Sequence, residues 1–364
     1  MSYDEPKRII MRQDYGLESD YCAPAPTVIA KIPMGGPTGD VVISPDNSRA
    51  YVARSNSIAV VSRLNNILGI IPISGHPKGL TINADGSRLY VTDHEGSVSV
   101  VDVADHRIRV LPGASCAQEV VTADRALIYT AHNAKHDGRC TSWISVNDTE
   151  GATVATIPGV GGCAITDLAM DPSGARVYAG LSGYSSYYQY CTGFVSVIDT
   201  ARYAVIDDID IAVSPDTITV SPDGSTMYAT HYDTELVSAV DLATHCLTTI
   251  AQRHAPLALT LTPDSLQAYV TSSCSLSVID TVTNEAACIT VGDLPRSVQI
   301  SPDGKRAYVS NFGDHTVSVI DTVTQCVVNT IDVGGHPEGL AVSPDGGRLY
   351  VSDYWSGTVA VASI

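Results

Sequence analysis

The stretch Ile300-Ser301-Pro302-Asp303-Gly304-Lys305-Arg306-Ala307-Tyr308-Val309-Ser310-Asn311 runs on into Phe312-Gly313-Asp314-His315-Thr316-Val317-Ser318-Val319-Ile320-Asp321. It opens on an apolar residue and a Ser-Pro-Asp-Gly turn, in which Pro pre-sets one dihedral and Gly permits another. An Arg-x-Tyr-Val run follows, and then Val-Ser-Val-Ile-Asp, whose β-branched residues alternate with period two. These are three short strands, here lettered A (before the turn), B and C. Val327–Ile331 adds a fourth, D.

The same unit recurs along the chain, for example as INADGSRLYVTDHEGSVSVVD and VSPDGGRLYVSDYWSGTVAVA. Its Tyr falls at Tyr51, Tyr90, Tyr129, Tyr178, Tyr228, Tyr269, Tyr308 and Tyr350, at spacings of 39, 39, 49, 50, 41, 39 and 42 residues. This accounts for the lopsided aromatic content of 18 Tyr against 2 Trp and 2 Phe, since eight of the Tyr are one repeated position. Four antiparallel strands per unit of about 40 residues make the blade of a β-propeller. At 364 residues the chain is long enough for two or three ordinary domains. Repeats that need their neighbours reduce this to one domain over 26–364, preceded by a non-repeat segment over 1–25.

The blocks Pro-x-Gly-x-x-x-Ser-Pro-Asp-Gly, Tyr-Val-(Thr/Ser)-(Asn/Asp) and Val-Ser-Val-Ile-Asp recur together and in order. In this the chain resembles the YVTN family of β-propeller repeats, over roughly residues 27–364. The resemblance implies a closed toroid with a central channel. The family's relatives include surface-layer proteins, lactonase-like enzymes, lyases and subunits of redox enzymes, so fold follows from it and function does not.

The chain stops at Ile364 without a fourth strand in the last unit, while Pro26–Pro33 reads as a strand D ahead of the first strand A. The expected fold is therefore all-β, an eight-bladed propeller closed by an N-terminal strand that completes the last blade. Closure of this kind removes open sheet edges. Many members of the family are read as seven-bladed, and eight is a departure.

With strand A lining the channel, the D–A and B–C loops share one face and the A–B and C–D turns the other. The Asp residues of the second face read as turn formers. Eight of the ten His fall on the first face: His76, His254 and His336 in D–A loops, and His94, His132, His136, His231 and His315 in B–C loops. His transfers protons near neutral pH and is the commonest metal ligand, whereas Gly-His-Pro around His76 and His336 also reads as a repeated turn.

Two rings of polar positions follow. The strand-B exit carries Arg54, Asp93, His132, Leu181, His231, Ser272, Asn311 and Asp353; the start of strand A carries Lys78, Asp216, Arg296 and Glu338, with Asp40 and Asp167 one step deeper. Two readings of this rim stand side by side, a site for a small polar molecule and a hydrated structural network. The candidate ligand-binding residues are Arg54, His76, Lys78, His94, Tyr187, Tyr188, Tyr232, Arg296, Asn311, His336, Asp353 and Tyr354. The candidate catalytic residues are His132 and His231 as acid or base, with Asp93 and Glu338 as orienting carboxylates.

Blade 3 has a long B–C loop over 132–143, and blade 4 carries Tyr184, Tyr187, Tyr188 and Tyr190 within one insertion. Such insertions map to one face, often the binding face, so this one reads either as a lid or docking patch or as an ordinary packed loop. Cys116 and Cys140 in blade 3, and Cys163 and Cys191 in blade 4, occupy matching places and are expected to form two disulfides. Cys246 and Cys326 start equivalent D strands and are expected to be buried. No apolar leader precedes the repeats, which fits a cytoplasmic protein; the two disulfides would instead favour a secreted or envelope location.

With 21 Lys+Arg against 39 Asp+Glu and a formal charge of -18, the chain is not expected to bind nucleic acid through its overall field. It has no apolar run of membrane-spanning length, and a monomer is expected. GxSxG, P-loop, HExxH, dinucleotide and CxxCH motifs are absent. No cofactor is expected; a divalent metal held by His132 and His136 with His94 or His231 is the minor alternative. Two function classes remain. One is a binding propeller that takes a small polar ligand or a protein partner on the His-rich face. The other is a lyase, isomerase or lactone hydrolase acting by His and carboxylate acid–base chemistry there. An envelope role is the weaker third.

Overall fold

Each repeat forms one four-stranded antiparallel sheet, and there are eight of them. The computed structural model describes residues 25–111, 117–123, 127–136, 139–158, 160, 164–183 and 192–364. Blade 7 is representative, with strands A Pro295–Ile300, B Arg306–Asn311, C Thr316–Asp321 and D Cys326–Asp332. In blade 8, strands A Pro337–Val342, B Arg348–Asp353 and C Thr358–Ser363 are completed by Thr27–Pro33, which pairs antiparallel with strand C from Thr27↔Ser363 to Pro33↔Thr358. The eight-blade ring and its closing strand are as the repeat predicts. On the face of the A–B and C–D turns, Arg63 of blade 1 forms an ion pair with Asp345 of blade 8, and Arg348 donates to Arg63 O.

The repeated Tyr holds each blade to the next. All eight are at most 3% exposed. Tyr51 lies in one apolar cluster with Leu80, Leu89 and Val91 of blade 2, and Tyr269 in one with Val298, Ala307 and Val309 of blade 7. Burial pushes the phenols of Tyr90, Tyr228, Tyr269 and Tyr308 up to about 12.

The turn aspartates cap their own turns. Ser44 Oγ donates to Asp46 Oδ1 at 2.6 Å and Ser48 N donates to the same oxygen at 3.0 Å, and these bonds hold the Asp46 carboxyl down at about 2. Ser301–Asp303 and Ser343–Asp345 repeat the pattern at 2.7 and 2.6 Å, and both carboxyls are held below their ordinary range, first by the Ser hydroxyl. His106 and His245, on this plain face, sit at φ 59° and 57°, with Asn284 and Gln325 in the same C–D turn position at 58° and 53°. They are left-handed turn residues.

Two expectations need correction. Residues 132–136 and 139–143 are strand rather than loop: strands B and C of blade 3 extend through Leu127–His136 and Arg139–Asp148, paired down to His136↔Arg139. Cys246 and Cys326 are exposed rather than buried, because strand D is the outermost strand and turns one side to solvent; with Cys274 and Cys288 they are free. Cys116, Cys163, Cys191 and the side chain of Cys140 lie outside the described residues, and with them the pairs Cys116–Cys140 and Cys163–Cys191. So do Tyr187 and Tyr188. Among the described residues no helix is long and apolar enough to cross a membrane.

Candidate functional site

Strand A enters seven of the eight blades through an irregularity. Register shifts between Thr38 and Val41, Pro77 and Gly79, Pro295 and Val298, and Pro337 and Leu340 lie where the strand leaves the face bearing the D–A loops. A bulge of this kind re-aims a side chain. The residue one step past the shared starting pair is Gly39 in blade 1, Lys78 in blade 2, Arg296 in blade 7 and Glu338 in blade 8. These four blades are consecutive around the ring, because blade 8 meets blade 1 at the closure.

Here a cavity of about 840 Å³ opens. It is lined by Lys78, Arg296, Glu338, His76, His94 and Tyr354 from the predicted set, and by Asp40, Gly39, Ser55, Phe312 and Trp355 besides. Gly39 contributes no side chain where its three neighbours each project a charged one. A Cβ there would meet Ala53 Cβ at 3.4 Å and Lys78 O at 3.6 Å, both ordinary contacts, so the position accepts a Cβ.

The charges divide into committed and free. Asp40 is committed: Val41 N and Leu80 N donate to its two oxygens at 2.8 and 3.1 Å, joining strand A of blade 1 to strand A of blade 2. Burial raises its pKa against the pull of those bonds. Asp167 joins Leu168 to Ile218 of blade 5 in the same way, at 2.8 and 2.7 Å. Lys78, Arg296 and Glu338, by contrast, are exposed and form no ion pair among the described residues. The Arg296 guanidinium rests over the Phe312 ring, 5.2 Å from its centroid.

The two His of the cavity are both exposed. His76 Nδ1 lies 2.7 Å from Ser55 O, and since a carbonyl only accepts, Nδ1 carries the proton in that bond. Gly75 precedes it at φ 92°, and a Cβ there would run into the Asp93 carboxylate.

Asp93 and Asp353 do not line the cavity; each shapes the loop that does. Asp93 Oδ1 accepts from Glu95 N and Ser97 N at 2.9 and 2.7 Å, which fixes the turn bearing His94. Asp353 Oδ1 accepts from Trp355 N and Ser356 N, both at 3.1 Å, and Oδ2 accepts from Ser356 Oγ. His336 stands behind the cavity wall: its Nδ1 donates to Phe312 O at 3.2 Å, and its ring lies 4.8 Å from Phe312 and 4.4 Å from His315. Tyr232 begins a short turn elsewhere on the rim, its N donating to Asp216 Oδ2 at 2.5 Å. Arg54 is half-buried beside Gly35 and outside the cavity lining.

His132 and His231 are each 1% exposed and are enclosed in their own blades. His132 Nε2 meets Ser145 Oγ at 2.6 Å and the ring stacks on Trp143 at 5.0 Å. His231 Nδ1 donates to Ser214 O at 2.9 Å, so its Nε2 accepts from Ser238 Oγ at 2.8 Å. Asn311 makes the equivalent bond from Nδ2 to Ser318 Oγ at 2.9 Å. A polar strand-B exit tied to the Ser of strand C is thus a structural feature shared by blades 3, 5 and 7. Asn311 also lines a separate space of about 460 Å³ with Thr290, Asp314, Thr316 and Thr330. Among the described residues no three His, Cys, Asp or Glu side chains converge as a metal-holding group.

Burial lowers the pKa of His231. The unfolded chain takes up its proton near the ordinary value of about 6.5, while the folded chain resists until lower pH. Stability from this site is full above the unfolded value and is lost as pH falls through the folded one. We expect urea stability to decline between about pH 7 and 5 and the variant His231→Asn, which copies Asn311, to flatten that slope. An unchanged slope would show that His231 does not titrate on unfolding.

Sequence reading passed over Phe312 and Trp355. The signal was present: in a chain with 18 Tyr but only 2 Phe and 2 Trp, one of each stands just beyond the strand-B exit of neighbouring blades.

No protein-family model matches the chain, and no curated protein matches it. Among solved structures it is similar to the hydrazine synthase of Kuenenia stuttgartiensis, at 20% identity and a TM-score of 0.59, over 92% of this chain and 97% of that one. At that identity the likeness speaks for fold alone, and the chain is an eight-bladed β-propeller.

Proposed function

We propose that the protein binds a small polar molecule bearing an anionic group in the cavity shared by blades 7, 8, 1 and 2. The observation that carries this reading is the set of free charges: Lys78 and Arg296 line the cavity without ion-pair partners among the described residues, in a chain whose net charge is -18. An acidic protein has abundant carboxylates with which to neutralise two cations, and these two are left open. The apolar part of the lining (Pro37, Pro77, Phe312, Tyr354 and Trp355) and the few polar groups converging on it are the usual make-up of a small-molecule site.

Trp355 reports on this cavity directly. In a Trp143→Phe background it is the remaining Trp, so ligand binding should change the emission. Titration with acetate, succinate and benzoate should give a saturable change with at least one of them. Lys78→Met and Arg296→Met should each weaken it by roughly 10- to 100-fold, the worth of a charged hydrogen bond of about 1.5–3 kcal/mol. Gly39→Leu, which fills the open position, should abolish it. A response that survives all three changes would place binding elsewhere.

His76 favours a second reading, acid–base catalysis on the bound molecule. With Nδ1 held by Ser55 O, its Nε2 is left for proton transfer in a cavity that the Glu338 carboxylate also lines. In this reading the role expected of His132 and His231 passes to His76 and His94. Its test is a turnover screen with His76→Gln, which should lose rate and keep affinity.

A further inference from the structure

We infer that the molecule bound in this cavity is a zwitterion with a flat apolar body, of the free aromatic amino-acid type. This rests on the reading of the cavity as a ligand site and goes further in naming the ligand class.

The argument begins with register. Arg296, Glu338, Gly39 and Lys78 hold equivalent positions on the A strands of four consecutive blades, so the wall reads plus, minus, gap, plus. Arg296 and Glu338 carry opposite charges at the same register of adjacent A strands, yet they form no ion pair. Arg296 is held instead over Phe312. Asp40, the other carboxylate of the lining, is spent on the joint between blades 1 and 2. Among the described residues the free inventory is therefore two cations with one carboxylate between them.

A simple anion here would meet Glu338, and a simple cation would meet Lys78 and Arg296. Like charges brought together in a binding site are costly. A molecule carrying a carboxylate and an ammonium group satisfies both signs. The rest of the lining points to its body. Trp355 is 70% exposed and Tyr354 42% exposed, and they meet edge to face at 5.7 Å with Phe312 in the same wall. Exposed aromatic side chains gathered at a cavity mark a surface that gains by being covered.

The test uses the full chain with Trp143→Phe, reading Trp355 emission against three probes. L-phenylalanine has both charges, 3-phenylpropionate lacks the ammonium group and phenethylamine lacks the carboxylate. L-phenylalanine should bind at least tenfold more tightly than either. Glu338→Gln should erase its advantage over 3-phenylpropionate, and Lys78→Met its advantage over phenethylamine. Both residues are exposed, so thermal melts of the variants should match the parent and separate a folding defect from a binding one. If 3-phenylpropionate binds as well as L-phenylalanine, the zwitterion inference is wrong and the anion site stands. Phenethylamine binding best overturns both readings. If no probe binds, this inference falls, while the titrations with acetate, succinate and benzoate still decide the wider one.

Discussion

Tyr269→Ala should lower stability by about 3–5 kcal/mol, the range for truncating a fully buried aromatic side chain. Tyr269 has no exposed surface, and its ring is packed among Leu276, Val278 and Ile289 of its own blade and Val298, Ala307 and Val309 of the next. Removing the ring leaves a void where two sheets face each other, and the flanking strands are tied into their own ladders and cannot collapse into it. The hydroxyl adds little: its bond to Gln267 Oε1, at 2.9 Å, reaches a half-buried partner on the same strand. Tyr269→Phe should therefore cost less than about 1.5 kcal/mol, the net worth of an ordinary hydrogen bond. Chemical denaturation of the two variants checks both figures. A cost below about 1 kcal/mol for the Ala variant would mean that blades 6 and 7 are held by other contacts.

The anchors were legible in the sequence because they recur. A Tyr repeated eight times between a Ser-Pro-Asp-Gly turn and a Val-Ser-Val strand has a period, and the period fixes blade, strand and side. The closing strand was legible for a related reason, since the last unit lacks the one element with which the first begins. What the repeat does not encode is where blades depart from it. The blade 3 extension reads as polar loop between 132 and 143, because its strand character comes from strands B and C pairing over a greater length. Cys326 sits at the head of a strand, and a strand-D position says nothing about burial when one side of that strand faces solvent.

The site was legible in its members but not in its grouping. Lys78, Arg296 and Glu338 stand out at one register, but residues 78 and 338 become neighbours only through ring closure, with Gly39 between them. Gly39 was passed over because an absent side chain gives no signal. His132 and His231 drew attention as chemistry, yet the Ser of strand C stands opposite to receive such a residue: Ser145, Ser238 and Ser318 each bond the polar side chain leaving strand B. The repeated Ser was the available sign that these positions are internal.

Removal of residues 1–33 should be the most damaging change of all. Thr27–Pro33 supplies the outer strand of blade 8, and Ile32 lies in the cluster that joins blade 8 to blade 1, with Val41, Val52, Val359 and Tyr350. Burial of Ile32 is worth about 1.5–3 kcal/mol. The strand's hydrogen bonds add about 0.5–1.5 kcal/mol each. Together these approach the margin of about 5–15 kcal/mol on which a whole domain stands. The loss also uncovers the edge of strand C, Thr358–Ser363, whose free N–H and C=O groups then offer a template for pairing with other chains. We expect a chain beginning at Met34 to lose its cooperative thermal transition and to elute as aggregates, and a chain beginning at Pro26 to behave as the parent. A synthetic peptide spanning residues 26–34, added in trans, should restore the transition, since it returns the same strand to the same edge. Equal melting of the two truncated chains would show that blade 8 stands on three strands and that the ring does not depend on its N-terminal closure.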